Sequence, residues 1–395
     1  MAAPGTVSIF GAVFYGHTEI VRMLVDNGAD VDTRNGRGET PLWIAASERR
    51  TKIVCLLLER DANPNLVDEK HTSPVWEAAR WGYTEIVCLL LDKHADPNMP
   101  DIHGETPVCV AARDGNTETV RLLLERNANP NIRVDDGSTA VWHAAWHGNT
   151  EIVRMLVDKG VDLDIQVDGK TPLYLAANGS VEIVEMLVRH GADLNIQAND
   201  GTTAVRVAVK YGRKEIVRIL VDNHANVNIA DNEGKTPVWE AARWGYVTIV
   251  RMLVDGGANV NIPDDEGKTP VWNAASGGYI ETLRMLLDHG AEPSTPDNDG
   301  VPPIASAALN GNLDIVQLLA CEYRVELLGR LAFAMGLDER LGSLSVARCL
   351  CDDVLKRIME HCRWQQAGGD VRELVEALRL SYPLAGEEYG GGGVV

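Results

Sequence analysis

The sequence predicts an all-α fold, a solenoid of short helix–turn–helix units with projecting β-hairpin-like loops and a C-terminal helical cap. Two observations predict it. A Thr-Pro dipeptide or close variant starts at Thr40, Ser73, Thr106, Thr139, Thr171, Thr203, Thr236, Thr269 and Pro302, in steps of 33, 33, 33, 32, 32, 33, 33 and 33 residues. A second marker, E-I-V or similar, keeps the same rhythm, with its middle residue at Ile20, Ile53, Ile86, Thr119, Ile152, Ile183, Ile216, Ile249, Thr282 and Ile315. Ten units follow, the first and last incomplete. The two short steps are single deletions, one in the loop before Thr171 and one near Asn178-Gly179.

Each part of the unit has a physical reading. The Thr hydroxyl suits a helix N-cap, Pro suits the first turn, and a short Ala-rich helix follows. Gly ends that helix, as at Gly82 and Gly115. The E-I-V segment opens a second helix with apolar residues at helical spacing. An Asn/Asp-Gly stretch then supplies turn chemistry for the loop. The Ala-Ala pair lets neighbouring helices approach closely. One unit cannot bury its apolar face alone, so stacking is obligatory.

This pattern resembles the ankyrin repeat, most closely at Gly234-Lys235-Thr236-Pro237 with Ala241-Ala242, and at Gly16-His17-Thr18-Glu19-Ile20-Val21. The resemblance implies a curved solenoid whose concave groove, lined by loop tips and first helices, binds a partner protein. The array covers 9–320, after a lead-in at 1–8. A helical segment at 321–381 and a disordered Gly-rich tail at 382–395 complete the domain plan.

Two columns depart from the family pattern. The family has a His after Thr-Pro-Leu, and the resemblance gives it hydrogen bonds to the next unit. Its column here holds Trp43, Trp76, Cys109, Trp142, Tyr174, Arg206, Trp239, Trp272 and Ala305. Either the rings pack between first helices, replacing polar ties with buried area, or they form a partly exposed ladder. The second column ends the first helix: Phe14, Tyr15, Arg80, Trp81, Arg113, Asp114, Trp146, His147, Lys210, Tyr211, Arg243 and Trp244. The resemblance places it on the concave face, and Trp, Tyr and Arg are the types that dominate interface energetics. Scattered surface aromatics with Arg stacked on Trp are the alternative. The decapeptide P-V-W-E-A-A-R-W-G-Y occurs at 74–83 and again at 237–246. Copying of units explains it, and the repeated surface would permit two-point binding.

Composition narrows the function. The net charge is −20, of which 321–395, with 9 Lys/Arg and 12 Asp/Glu, carry −3. Such a surface repels phosphate backbones and anionic membranes and favours a partner with a basic surface. Acidic loop tips such as Asp135-Asp136 and Asp264-Asp265-Glu266 read as turn chemistry rather than calcium ligands. The seven Cys follow no disulfide spacing, which suits an intracellular protein of the cytoplasm, with the nucleus as the alternative. No secretory leader or spanning segment is visible. The first unit lacks its Thr-Pro half, which would fit a chain with a further upstream segment.

After residue 320 the period stops. Helices expected at 322–336, 350–363 and 370–380 would cap the stack. Leu350-Cys351-Asp352-Asp353-Val354-Leu355-Lys356-Arg357-Ile358 resembles the F-box core, with Cys351 in place of its Pro, and 327–359 resembles a SOCS box. That resemblance implies docking of a ubiquitin-ligase scaffold through Leu350, Val354, Leu355 and Ile358. Cys349, Cys351, His361 and Cys362 match no common zinc spacing. No P-loop, G-x-S-x-G, H-E-x-x-H, kinase or dinucleotide-binding signature is present. The expectation is a scaffold or adaptor that binds another protein, with no enzyme activity, cofactor, metal or small-molecule substrate. The alternative is a substrate-recognition adaptor of a ubiquitin ligase.

Overall fold

The structure is a computed structural model, and it describes residues 8–322. The expected C-terminal helices beyond 322 and the lead-in at 1–7 lie outside the described residues. The chain divides into two compact units, up to Asn199 and from Asp200 onward.

In the first unit, first helices are α1 (Ile9–Phe14), α3 (Pro41–Ser47), α5 (Pro74–Arg80), α7 (Pro107–Arg113), α9 (Ala140–Trp146) and α11 (Pro172–Ala176). They alternate with second helices α2 (Thr18–Asp26), α4 (Thr51–Leu58), α6 (Thr84–Asp92), α8 (Thr117–Glu125), α10 (Thr150–Asp158) and α12 (Val181–Arg189). The second unit alternates α13 (Ala204–Lys210), α15 (Pro237–Arg243), α17 (Pro270–Gly277) and α19 (Pro303–Leu309) with α14 (Lys214–Asp222), α16 (Val247–Asp255) and α18 (Ile280–Asp288). Residues 313–322 are helical again. Within each unit, first helices pack on first helices and second on second, as an ankyrin-type solenoid.

Capping explains the first helices. Thr40, Ser73, Thr106, Thr171, Thr236 and Thr269 each accept, through the side-chain oxygen, the N–H three residues on. Thr139 and Thr203 depart from that expectation. Ala follows them instead of Pro, no cap hydrogen bond forms, and both hydroxyls are buried without a partner. After the helix, Gly82, Gly115, Gly148, Gly212 and Gly245 take positive φ, the left-handed turn that stops it. The deletion near Asn178 shortens α11 to five residues.

The core is thin and repetitive. Ala45-Ala46, Ala78-Ala79, Ala111-Ala112, Ala241-Ala242 and Ala274-Ala275 are fully buried, as are Val54, Val87, Val120, Val217 and Val250 of the second helices. Loops close by short main-chain pairs, such as Asp68 N–H to Thr72 O and Asp231 N–H to Lys235 O, 3.1 Å each. Loops also dock on loops: Glu69 N–H donates to Arg37 O, Ile102 N–H to Lys70 O and Asp265 N–H to Glu233 O. Gly234 makes the last of these possible, because a Cβ there would stand 2.9 Å from the Asp265 nitrogen. The loops are hairpin-like in pairing, yet the one formal bridge among the described residues is Val167 with Lys170.

On the exposed side of the second helices, Arg22–Glu19, Arg121–Glu118, Arg154–Glu151 and Arg284–Glu281 pair at 3.3–3.6 Å across one turn. Such exposed pairs add only a few tenths of a kcal/mol, roughly 0.3–0.5 each.

Candidate protein-binding groove

The Trp column lies in the stack. Trp76, Trp142 and Trp239 are buried, Trp43 and Trp272 half-buried. The expectation that buried area simply replaces the polar ties needs correction. Each indole N–H donates to a carbonyl of the following repeat: Trp43 to Thr72 at 3.1 Å, Trp76 to Glu105 at 2.8 Å, Trp142 to Lys170 at 2.9 Å, Trp239 to Lys268 at 2.9 Å and Trp272 to Val301 at 3.1 Å. The column keeps a hydrogen-bonded tie and adds a large apolar plate to it. A donor one ring beyond Cβ, on a residue type repeating every 33 positions, was the signal that could have revealed this.

The second column is exposed. Trp81, Trp146 and Trp244 retain 55%, 54% and 48% of their surface, and Phe14, Tyr15 and Tyr211 about as much or more. These six belong to a short set of exposed large hydrophobics that otherwise holds only Ile20, Met23, Ile102 and Leu313 among the described residues. Their rings are ordered by neighbours. The Arg80 guanidinium lies over Trp76 and Trp81, 5.8 and 5.3 Å from the ring centroids. Arg243 does the same over Trp239 and Trp244, at 5.5 and 5.9 Å. Trp146 stands where Arg80 does in its own repeat and stacks on Trp142 at 5.1 Å. Phe14 and Tyr15 meet edge to face at 5.3 Å. His147, Lys210 and Asp114 are exposed, whereas Arg113 is half-buried and bonded to Glu105 and to Asp114.

In the first unit Phe14, Arg80, Trp81 and Arg113 border an open cleft of about 1140 Å³, lined also by loop residues such as Asp68 and Asp101 and by first-helix residues Trp43, Trp76 and Glu77. The second unit has a smaller cleft of about 370 Å³ beside Lys235, Trp239, Arg243, Lys268 and Trp272. There Lys235 and Lys268 lie over Trp239 and Trp272, and each is also paired with a loop glutamate, Glu233 or Glu266. The loop acids divide their labour. Asp231, Asp264 and Asp297 accept two backbone N–H groups each and hold the turn, while Glu233, Asp265, Glu266 and Asp299 face solvent.

Sequence reasoning missed a polar stripe on the floor, one residue after the Trp column. Glu77 and Glu240 are buried there, and His143 is half-buried. Glu240 accepts from the Trp244 indole at 2.7 Å and from Arg206 at 3.0 Å, and Arg206 also meets Asp231 at 2.9 Å. Arg206, which stands in the Trp column, thus closes a buried ion-pair triad. Glu77 has no cation within 4 Å among the described residues, and burial pushes its carboxyl above the usual range, partly opposed by Arg80 and the Trp81 indole. His143 shares a 2.8 Å hydrogen bond with Ser138, and desolvation pulls its imidazole down to about 4. Burial likewise pushes the Cys109 thiol up to about 11, so it is an inert core group.

Among the described residues no group of three or more His, Cys, Asp or Glu could hold a metal, and no helix is long and apolar enough to cross a membrane. The candidate residues Leu350, Val354, Leu355 and Ile358, and the group Cys349, Cys351, His361 and Cys362, lie outside the described residues.

Comparison with known proteins agrees with this geometry. A family model described as ankyrin repeats in three copies matches at 9–101, 75–167, 108–198, 190–264 and 256–327. An ankyrin repeat-containing protein of Schizosaccharomyces pombe is 42% identical over 40 residues, which is 10% of this chain and 19% of the relative. With the repeat model tiling most of its length, the chain belongs to the ankyrin repeat family.

Proposed function

We propose that the chain is a protein-interaction scaffold that grips its partner on the face carrying the exposed aromatic column. Ankyrin repeats act as protein–protein interaction modules, and the observation that carries the reading is the placement of the exposed rings. Six large aromatics sit at the two adjacent positions that close the first helix and stay about half-exposed or more, while the neighbouring Trp column is buried or half-buried. Arg80, Arg113, Asp114, His147, Lys210 and Arg243 share that column and supply its polar contacts. The solvent-facing loop acids and the net charge of −20 favour a partner with a basic surface. Four described cysteines carry free thiols, which suits a reducing compartment such as the cytoplasm.

The test is capture of partners from the native cell by the full chain and by the triple variant Trp81→Ala, Trp146→Ala, Trp244→Ala. The expected result is loss of the wild-type partners with an almost unchanged melting temperature. Unaltered capture by the variant overturns the reading. The adaptor reading rests on the sequence at 327–359, with its F-box-like core at 350–358. Replacement of Leu350, Val354, Leu355 and Ile358 by Ala in the full chain should remove a ligase scaffold from the captured set, if that reading holds.

A further inference from the structure

Each copy of P-V-W-E-A-A-R-W-G-Y carries a glutamate that, with an aspartate nine residues before it, forms an acidic pair, and the two pairs have different neighbours. In the second unit the pair is Asp231 and Glu240. Asp231 Oδ1 accepts from the Glu233 and Lys235 backbone at 3.0 and 2.8 Å, which leaves Oδ2 for Arg206 at 2.9 Å. Glu240 takes the same guanidinium nitrogen at 3.0 Å. Subtracting the 163-residue offset gives Asp68 and Glu77 in the first unit, and Trp43 in place of Arg206. Asp68 Oδ1 again accepts two backbone N–H groups, from Lys70 and Thr72 at 3.0 and 2.7 Å. Its second oxygen has no hydrogen bond among the described residues. Glu77 is only 7% exposed; the Trp81 indole bonds it and the charges of Arg80 and Lys70 favour its ionised form, yet it has no cation within salt-bridge distance among the described residues. Arg80, a nearby cation, is held over the Trp76 and Trp81 rings instead.

Asp68 and Glu77 both line the open cleft, together with Trp43, Thr72, Trp76 and Trp81. The acidic pair therefore lacks its cation at a place a partner can reach. We propose that Asp68 and Glu77 form a receptor for an arginine side chain of the partner, with Arg206 on Asp231 and Glu240 as the picture of the bound state within the same molecule. This rests on the cleft being a partner-binding face, and it specifies the anchor that face selects. A guanidinium fits better than an ammonium, because it can offer one N–H to each carboxylate while its plane lies against an indole. A buried carboxylate with no counter-charge is costly to hold, so supplying the cation from outside returns that cost as affinity. Burial pushes Glu77 toward the neutral form, Arg80 and the Trp81 indole oppose that push, the charge of Asp68 adds to it, and a guanidinium at the pair would oppose it further.

The probes are acetyl-arginine-methylamide, the lysine analogue and the uncharged citrulline analogue, titrated into the full chain at pH 7. Indole resonances are followed by nuclear magnetic resonance. The expected result is saturable binding of the arginine compound that perturbs Trp43, Trp76 and Trp81 and weakens roughly tenfold or more in Glu77→Gln and in Asp68→Asn. Trp43→Arg, checked for fold by circular dichroism, should fill the site from within and abolish binding. Arginine binding undiminished in both acid variants overturns the proposal, as does equal binding of citrulline or lysine, or no saturable binding. These readings use no partner. They can therefore fail while aromatic-dependent capture still holds, and the reverse outcome is equally visible.

Discussion

Residues 74–83 and 237–246 are the same ten amino acids, folded into the same capped helix with the same Arg laid over the same two Trp rings. Their glutamates nevertheless live in different electrostatic worlds. Glu240 is closed under Arg206 and Asp231 in a buried triad, whereas Glu77, with Trp43 at the position equivalent to Arg206, forms no ion pair among the described residues. The difference teaches that a repeat's local sequence sets its helix and its stacking. The repeat before it sets whether its polar floor is satisfied.

The largest expected effect breaks the second copy. Arg206→Leu leaves Asp231 and Glu240 buried without their cation and should cost about 3–5 kcal/mol in denaturant unfolding. Arg206→Trp converts that site into the first copy's arrangement, and a ring there can donate to the next loop as Trp43 does. It should cost clearly less than Arg206→Leu. An equal loss from both would mean that the two floors are not comparable.

Next, Trp76→Ala and Trp239→Ala should each lose about 3–5 kcal/mol, since both remove a buried ring and an inter-repeat hydrogen bond. The glutamates themselves should then diverge. Glu240→Gln is expected to cost about 1–3 kcal/mol, while Glu77→Gln at pH 7 should be neutral or slightly stabilising, both by chemical denaturation. Glu77 has a raised folded pKa, so its contribution to stability is complete below the unfolded value and is lost as pH rises through the folded one. The stability advantage of Glu77→Gln over wild type should therefore grow from acid toward neutral pH.

His143, at the same floor position in another repeat, behaves with the opposite sense. Its folded pKa is lowered to about 4 from 6.5, so its stabilising effect is present above 6.5 and is lost as pH falls toward 4. His143→Gln should flatten the fall of unfolding free energy across that window by on the order of 1–3 kcal/mol. A pH profile unchanged by the substitution removes His143 from the account. The smallest effects on stability belong to the exposed rings: Trp81→Ala and Trp244→Ala should each change it by less than about 1 kcal/mol. Partner capture is where their loss should show.

Much of the fold was legible before any coordinates. The Thr-Pro rhythm located the first helices, E-I-V located the second, and the two deletions fell where α11 and its preceding loop are short. Legible too were the two aromatic columns, though which one faced solvent needed the family resemblance. Thr139 and Thr203 misled: they keep the capping residue type, yet where Ala replaces the following Pro no cap hydrogen bond forms and the hydroxyl stays unsatisfied. The indole ties were hidden because the acceptor is a main-chain carbonyl some 29 residues away, and no side-chain type announces it.

What the sequence by itself determined is whatever a single repeat decides: its caps, its left-handed glycine stop, its apolar faces and its turn acids. Helical and turn preferences act within a few residues, so a 33-residue period writes them plainly. What only the tertiary structure decided is which polar groups on the cleft floor find partners. Arg206 reaches Glu240 across 34 residues, and Trp43 holds the equivalent position one repeat before Glu77, because stacking brings residue i beside the repeat that follows it. Two identical decapeptides thus differ in charge balance for a reason that neither of them contains.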